Sequence, residues 1–129
     1  MQIPILYSKI HRATVTAADL HYEGSITIDR RLLEMADLLP HQQVQIYNIS
    51  NGARFETYVM EAALDSGCIQ INGAAAHKAK VGDLIIIAAF AAMSRQEAAS
   101  WEPKIVLVDR HNRPRAARPL LGSPEIAEC

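Results

Sequence analysis

The residues with the clearest capacity for chemistry in this 129-residue chain are Gly24 and Ser25, which share one peptide bond. A serine hydroxyl is a weak nucleophile until a neighbour activates it or strain brings an electrophile close. Here the nearest electrophile is the Gly24 carbonyl, which no Cβ shields and whose backbone can adopt strained conformations. Attack by Ser25 on this carbonyl would turn the peptide into an ester. Elimination and hydrolysis would then cut the chain and leave a ketone at residue 25.

A Gly-Ser pair that stands alone is more typical of a turn between strands. In this chain it stands in the motif Tyr22-Glu23-Gly24-Ser25, and three further motifs accompany it in order: Lys9 with His11, Asn51-Gly52-x-Arg54-Phe55-x-Thr57-Tyr58, and Asn72-Gly73-Ala74-Ala75-Ala76-His77. From about Lys9 to about Trp101 the chain closely resembles the pyruvoyl-dependent L-aspartate 1-decarboxylases of bacteria. Four motifs that agree in order and spacing make this a specific resemblance.

The resemblance implies a precursor that cleaves itself at Gly24-Ser25 into chains 1–24 and 25–129, with a pyruvoyl group formed from Ser25. The mature enzyme would bind L-aspartate as a Schiff base and release CO2 and β-alanine, which the family supplies to pantothenate and coenzyme A synthesis. The pyruvoyl ketone would act as the electron sink, so neither pyridoxal phosphate nor another separate cofactor is expected.

Four side chains are candidates for the chemistry around this group. The planar guanidinium of Arg54 can bind the retained carboxylate through two parallel hydrogen bonds, and Lys9 would add a point charge. The resemblance makes Tyr58 the proton donor, although a core tyrosine with a satisfied hydroxyl is the alternative. It also makes Thr57 a substrate contact that polarises the Gly24 carbonyl during cleavage. On a regular strand Thr57 and Arg54 face opposite sides, so a bulge, a twist or a second subunit must bring Thr57 to the site.

The small residues of the motif Asn72 to His77 would let a ligand approach bare backbone amides, although such a run is commonly just the start of a helix. By resemblance, the residues that line the substrate and ketone pocket are Asn72, Gly73, Ala74 and Ala75. The resemblance also gives three wall positions, Tyr22, His11 and Ile86.

Composition narrows the class of protein. The length fits one domain, and a formal charge of -1 with a pI near 6.5 gives no general attraction to nucleic acid or anionic membranes. No apolar run approaches the roughly 18 to 20 residues of a spanning helix, and the N-terminus lacks the features of a signal peptide. We therefore expect a cytoplasmic protein. Two cysteines and five histidines without ligand spacing predict no metal.

Hydrophobic patterning predicts many short strands, at residues 3–16, 26–28, 43–49, 53–61, 69–71, 84–90 and 104–108. The strand at 84–90 is expected to be fully buried. Asp29 is expected to cap a helix over residues 30–38, and Ser94 opens a capping box before a helix that ends near Ser100. Asn51-Gly52 is a strong hairpin signal. Residues 17–24 read as a connector and 72–77 as a loop.

These elements predict a mainly β protein with two short helices. The resemblance sharpens the prediction to a six-stranded double-psi β-barrel at residues 1–109, assembled as a homotetramer with active sites at subunit boundaries. Residues 110–129 are expected to be a mobile tail, and whether a maturation factor docks there stays open. One alternative is a non-catalytic ligand-binding or regulatory barrel in which Ser25 stays intact. A DNA-binding barrel is disfavoured by the near-neutral charge.

Overall fold

The computed structural model describes residues 1–118, with side chains as far as residue 115. Within this part of the chain the two α-helices are α1 (Arg30–Ala36) and α2 (Arg95–Ser100), and a 3₁₀-helix spans Gly73–His77. The strands are β1 (Ile3–Thr14), β2 (Ala17–Asp19), β3 (Ser25–Asp29), β4 (Gln43–Asn48), β5 (Arg54–Ala62), β6 (Ile69–Asn72), β7 (Leu84–Met93), β8 (Lys104–Val108) and β9 (Pro114–Arg118).

The strands are hydrogen-bonded in the order β2-β6-β3-β5-β4-β7-β1-β8-β9. Three neighbouring pairs are parallel, namely β1 with β8, β2 with β6 and β3 with β5, and the other pairs are antiparallel. The strand that begins at Ser25 therefore lies between β5, which carries the Arg54 to Tyr58 motif, and β6, which ends at Asn72. Two motifs that are far apart in sequence flank the Gly24–Ser25 bond.

Aliphatic side chains from nearly every element fill the core. Ile10, Ile26, Ile46, Ile71 and Ile87 are all completely buried, and α1 adds Leu32, Leu33 and Ala36 from the side. Branched aliphatic residues pack densely on a pleated surface without the polar atoms of Tyr or Trp. The mainly β fold with short helices is confirmed, and it agrees with the low aromatic content of the sequence.

Local signals in the sequence are confirmed where one side chain decides the geometry. The Asp29 carboxylate accepts from the Arg31 amide at 2.8 Å and begins α1, and Ser94 with Glu97 forms the predicted capping box of α2. The turn at Asn51-Gly52 joins β4 to β5, with Gly52 at φ 78°. Positive φ costs a glycine little, which is why this dipeptide suits the turn.

Several expected boundaries were wrong. β1 ends at Thr14, which pairs with Leu84 at the start of β7, after a shift in the pairing between Ile10 and Ala13, where Arg12 has φ 64°. The expected connector at 17–24 contains the short strand β2, and the expected loop at 72–77 is largely a 3₁₀-helix. The strand expected at 84–90 runs on to Met93 and is not fully buried, since Phe90 is 45% exposed.

The chain also remains regular beyond residue 109, where the tail was expected to begin. The Asp109 carboxylate accepts from the amides of His111 and Arg113 at 2.8 and 3.0 Å, which closes a turn. Asn112, fully buried at φ 60°, donates to the carbonyls of Thr14 and Gly67 at 2.8 and 2.9 Å. This anchored turn directs β9 back along β8. The remainder of the expected tail, residues 119–129, lies outside the described residues.

The strand count is higher than the resemblance implied, because β2, β8 and β9 extend the sheet at its two ends. The closure of the strands into a double-psi barrel stays a prediction. In the described part of the chain, no helix combines the length and apolarity needed to cross a membrane.

Candidate active site

Ser25 is the first residue of β3, and its side chain is held from two directions. The residue is 1% exposed. Its Oγ donates a hydrogen bond to the Glu23 carbonyl at 3.1 Å and accepts one from Asn72 Nδ2 at 3.0 Å. The hydroxyl is thus fixed beside the peptide bond that it would attack, with one lone pair left after these two contacts.

Asn72 is the centre of a small polar network on one face of β3 and β6. It is fully buried, and its Nδ2 donates to Thr27 Oγ1 at 3.0 Å as well as to Ser25. Its Oδ1 accepts from Gln70 Nε2 at 2.7 Å. The antiparallel register pairs Ser25 with Asn72 and Thr27 with Gln70, which places all four side chains on the same face.

Gly24 and Gly73 meet backbone to backbone. A Cβ built on Gly73 would lie 2.7 Å from Gly24 Cα and 2.8 Å from Gly24 N, and Gly73 has φ 70°. Both the contact and the dihedral angle require glycine at residue 73. Gly24 has no heavy atom within 4 Å of its own ideal Cβ position. The Gly24 backbone therefore has free space at its Cβ position and is in close contact with Gly73 at its Cα and N atoms.

The register of β3 and β5 decides which residues of the Arg54 to Tyr58 motif lie near the Gly24–Ser25 bond. Ile26 pairs with Val59 in this parallel pair. One position earlier on both strands stand Ser25 and Tyr58, and two positions earlier the same register would set Thr57 opposite Gly24. Ile26 and Val59 are both buried in the core, so the positions before them, Ser25 and Tyr58, share the opposite face of the sheet, where Tyr58 is 36% exposed. Extended in this way, the register sets Tyr58 beside Ser25 of the same chain, whereas Thr57, one position earlier on a regular strand, faces the opposite side of the sheet.

Arg54 lies at the other end of the same strand. It pairs with Tyr47 across the hairpin, and its guanidinium lies over the Tyr47 ring at 4.1 Å from the centroid. Tyr47 in turn pairs with Ile86 of β7. Tyr58 lies four positions after Arg54, which is about 13 Å along a strand. Arg54 and Ile86 therefore flank Tyr47 in one row across the sheet, at a distance from Ser25 of the same chain.

Lys9 lies in a row next to this group. It pairs with Ala88 of β7, Ala88 pairs with Gln45 of β4, and Gln45 pairs with Glu56 of β5. Glu56 also accepts hydrogen bonds from Gln43 and Gln45 at 2.7 and 3.3 Å. Lys9, Tyr47, Arg54 and Ile86 consequently share one face of the sheet formed by β1, β7, β4 and β5.

The remaining predicted residues are distributed around these two groups. Ala74 and Ala75 follow Gly73 in the 3₁₀-helix, with Ala74 exposed and Ala75 half-buried against the core. Tyr22 is 56% exposed just before the cleavage bond. His11 lies in the irregular part of β1 and lines, with Arg12 and residues 107–111, a cavity of about 720 Å³.

The segment that carries the 3₁₀-helix is tied to β4 by a buried carboxylate. Asn48 Nδ2 donates to the Lys78 carbonyl at 3.0 Å and to Asp83 Oδ2 at 2.9 Å. The same Asp83 carboxylate accepts from the Lys80 amide at 3.1 Å. The hydrogen bond from Asn48, followed by that from the Lys80 amide, lowers the pKa of Asp83 below its usual value. Asp83 is 5% exposed and stabilises the end of the loop that begins at Asn72.

Sequence reasoning missed two residues of the site, Tyr47 and Gln70. Tyr47 could have been found by counting back from the Asn51-Gly52 turn, since a hairpin sets it opposite Arg54. Gln70 could have been found from its position two residues before Asn72, which puts it on the same face of β6. Within residues 1–118, no group of three or more His, Cys, Asp or Glu is placed to hold a metal ion.

Comparison with known proteins agrees with this geometry. The sequence model of the aspartate decarboxylase family matches residues 1–115. Aspartate 1-decarboxylase of Thermoanaerobacter pseudethanolicus is 54% identical over 114 residues, which cover 88% of this chain and 97% of that protein. Aspartate 1-decarboxylase of Chloroherpeton thalassium is 55% identical over 115 residues, or 89% of this chain and 85% of that protein.

The protein is thus an enzyme of the decarboxylase class, a carbon-carbon lyase. More narrowly, the chain belongs to the aspartate decarboxylase family.

Proposed function

We propose that this chain is the self-cleaving precursor of an enzyme that converts L-aspartate to β-alanine and CO2. The observation that carries the proposal is the position of Ser25, whose buried hydroxyl lies between the Glu23 carbonyl and the Asn72 amide at the start of β3. A serine in an ordinary turn does not require burial or two such hydrogen bonds. Family membership supports aspartate as the substrate.

The self-cleavage uses groups of this chain only. Ser25 Oγ attacks the Gly24 carbonyl carbon, the peptide C–N bond breaks, and an ester with a free amine at residue 25 results. Thr57, which the β3–β5 register would set opposite Gly24 if it were extended two positions before Ile26 and Val59, donates to the oxygen that becomes negative during the attack. Elimination releases the Gly24 carboxylate, and hydrolysis of the resulting enamine consumes one water and releases ammonia. The products are chains 1–24 and 25–129.

The residues fit a pyruvoyl group at position 25. Residue 25 is the first residue of β3 and adjoins the open Gly24 segment. The Asn72 amide, already within hydrogen-bond distance of Ser25 Oγ, can donate to a carbonyl oxygen formed there. The ketone supplies the electron sink for loss of CO2. Tyr58, on the same face one strand away, donates the proton that the α-carbon of the substrate needs after CO2 leaves. The amides of Ala74 and Ala75 bind the substrate from the adjoining 3₁₀-helix, and Gly73 and Tyr22 shape the approach. His11, two residues after Lys9 on β1 and four places from β3 in the strand order, acts with Lys9.

Arg54 binds the carboxylate that the substrate retains, and Lys9 adds positive charge. The backbone positions of Arg54 and Tyr58 are about 13 Å apart along β5, and the Arg54 guanidinium lies over the ring of Tyr47 across the hairpin rather than along the strand toward Tyr58. This orientation favours an arrangement in which Arg54, Lys9 and Ile86 of one subunit face Ser25 of another. A homotetramer with active sites at subunit boundaries satisfies this requirement, and it would also cover the exposed side chains of Phe90 and Tyr58 on the same sheet face.

The proposal is tested by the release of CO2 from L-aspartate by purified protein without added pyridoxal phosphate. Ser25→Ala should abolish this activity, whereas Ser100→Ala on exposed α2 should preserve it. Activity that survives Ser25→Ala would overturn the proposal. Failure of the protein to cleave, with Ser25 intact, would favour the non-catalytic barrel instead.

The shared site has its own test. Ser25→Ala and Arg54→Ala chains, each inactive alone, should recover part of the activity when they are co-expressed, because a mixed assembly contains sites with both intact residues. No recovery in a proven mixed tetramer would contradict the subunit-boundary site. We also propose that the enzyme acts in the cytoplasm, in the synthesis of pantothenate and coenzyme A. If self-cleavage of the purified protein requires added lysate of the source cell, a maturation factor is present in that lysate.

A further inference from the structure

We propose that Gln70 is a positioning residue for self-cleavage, because it fixes which end of the Asn72 amide faces Ser25. The inference rests on the proposed function. Gln70 belongs to none of the motifs discussed above. It lies on β6 two residues before Asn72, so the two side chains are on the same face of the strand. Its Nε2 donates to Asn72 Oδ1 at 2.7 Å.

The direction of every hydrogen bond in this network follows from one group that cannot change its role. The Glu23 backbone carbonyl can only accept, so the Ser25 hydroxyl must donate to it. Ser25 Oγ is then free to accept, and a donor, Asn72 Nδ2, faces it. Both Nδ2 hydrogens are used, since the second goes to Thr27 Oγ1. The Asn72 carbonyl oxygen is thereby turned toward Gln70, where it requires a donor.

Gln70 supplies that donor. Without it, the Asn72 oxygen would be turned away from any partner within a buried network, and rotation of the amide by half a turn would become competitive. The rotated amide would present its oxygen to Ser25. The hydroxyl would then donate to Asn72 rather than to Glu23, and Oγ would leave the position in which it is held beside the Gly24 carbonyl.

The substitution Gln70→Glu makes the inference testable by pH. The ionised carboxylate of this variant cannot donate, so two acceptors would meet and the Asn72 amide would rotate. The protonated carboxyl has one O–H donor and restores the original direction. A carboxyl next to an acceptor favours its protonated form, which raises its pKa above the usual value of about 4.3.

The experiment measures the rate of self-cleavage of full-length precursor by intact mass, from pH 4.5 to 8, for the wild type, Gln70→Glu and Gln70→Leu. Relative to the wild type at each pH, Gln70→Glu should cleave about tenfold more slowly at pH 8 and recover to within about threefold at the acid end. Gln70→Leu, which can neither donate nor titrate, should be slow at every pH.

A purely structural role for Gln70 would slow both variants equally at all pH values and would overturn the inference, as would wild-type rates in both. Should Gln70→Leu fail to fold, Gln70→Met, which is unbranched and equally unable to donate, takes its place. Cleavage by the wild type in the same series separates the two claims. If the wild type does not cleave, the proposed function fails, and if it cleaves while Gln70→Glu shows no acid recovery, only the role of Gln70 fails.

Discussion

Gly73 lies against Gly24 so closely that a Cβ on Gly73 would meet Gly24 Cα at 2.7 Å. Gly24, the last residue of the small chain that self-cleavage would release, is thus in contact with Gly73, the first residue of the 3₁₀-helix. The two glycines are 49 positions apart in sequence, and the adjoining residues Ser25 and Asn72 pair in the β3–β6 ladder. A displacement of the backbone at Gly73 should therefore also displace the Gly24–Ser25 bond.

Gly73→Ala should slow self-cleavage strongly, by tenfold or more on the order of magnitude that a displaced reacting group implies. The new Cβ must push the Gly24 backbone away, and φ 70° at residue 73 adds strain. Gly52→Ala is the matched control, since Gly52 has φ 78° but nothing within 4 Å of its Cβ position. Gly52→Ala should lose about 1 to 2 kcal/mol of unfolding free energy from its dihedral angle alone. Gly73→Ala should lose more because of the contact with Gly24, and only this variant should accumulate uncut precursor. Equal cleavage rates in the two variants would contradict the role of this contact.

Tyr47 should affect substrate binding and not maturation. Its ring supports the Arg54 guanidinium at 4.1 Å, and a cation–π contact at an exposed site contributes about 0.5 to 1 kcal/mol. Tyr47→Leu should raise KM for aspartate about two- to fivefold, leave kcat within about twofold and leave self-cleavage unchanged. Tyr47→Phe retains the ring and should keep the wild-type KM. A rise in KM that is the same in both variants would show that the hydroxyl, and not the ring face, matters.

Asp83 should make the loop that begins at Asn72 sensitive to acid. The folded-state pKa of this carboxyl is lowered, chiefly by the hydrogen bond from Asn48. The unfolded chain therefore binds the proton first, at about pH 3.9, and the stabilisation is fully present above that pH. It is lost as the pH falls through the lower, folded-state pKa.

Asp83→Asn should lower the free energy of unfolding by about 1 to 3 kcal/mol at pH 7, because the hydrogen bonds from Asn48 and the Lys80 amide lose their charged acceptor. The difference between wild type and Asp83→Asn should shrink below about pH 4. Asp65→Asn is the control, since Asp65 also has a pKa lowered by its partner, Arg31, but the pair is exposed. Urea unfolding at several pH values measures all three proteins, and a difference that does not change with pH would contradict the role of the Asp83 charge.

The parts of the fold that could be predicted from sequence are those decided by neighbouring residues. Asp29, the Asn51-Gly52 turn and the Ser94 capping box act within a few positions of themselves, so local chemistry was sufficient. β9 could not be predicted in this way. It depends on Asn112, whose amide reaches Thr14 and Gly67 across 98 and 45 positions.

The same distinction applies to the candidate site. The motifs were enough to identify Ser25, Thr57, Tyr58 and Asn72 as candidates, but their mutual placement depends on the registers of β3 with β5 and β6. Gln70 has no distinctive motif because its importance comes from the residue it contacts. The position of Arg54, far along β5 from Ser25, likewise follows from strand geometry, and it is the basis for the proposal that the site is shared between subunits.

The measurement that tests the central claim most directly is the intact mass of freshly purified protein under denaturing conditions. We expect two pieces, residues 1–24 and the remaining 105 (129 minus 24), with the larger piece lighter than its encoded mass and reducible by borohydride, as a ketone at residue 25 requires. Ser25→Ala should give one full-length mass. A full-length mass that persists in the wild type after prolonged warming, with lysate of the source cell added, would contradict the account.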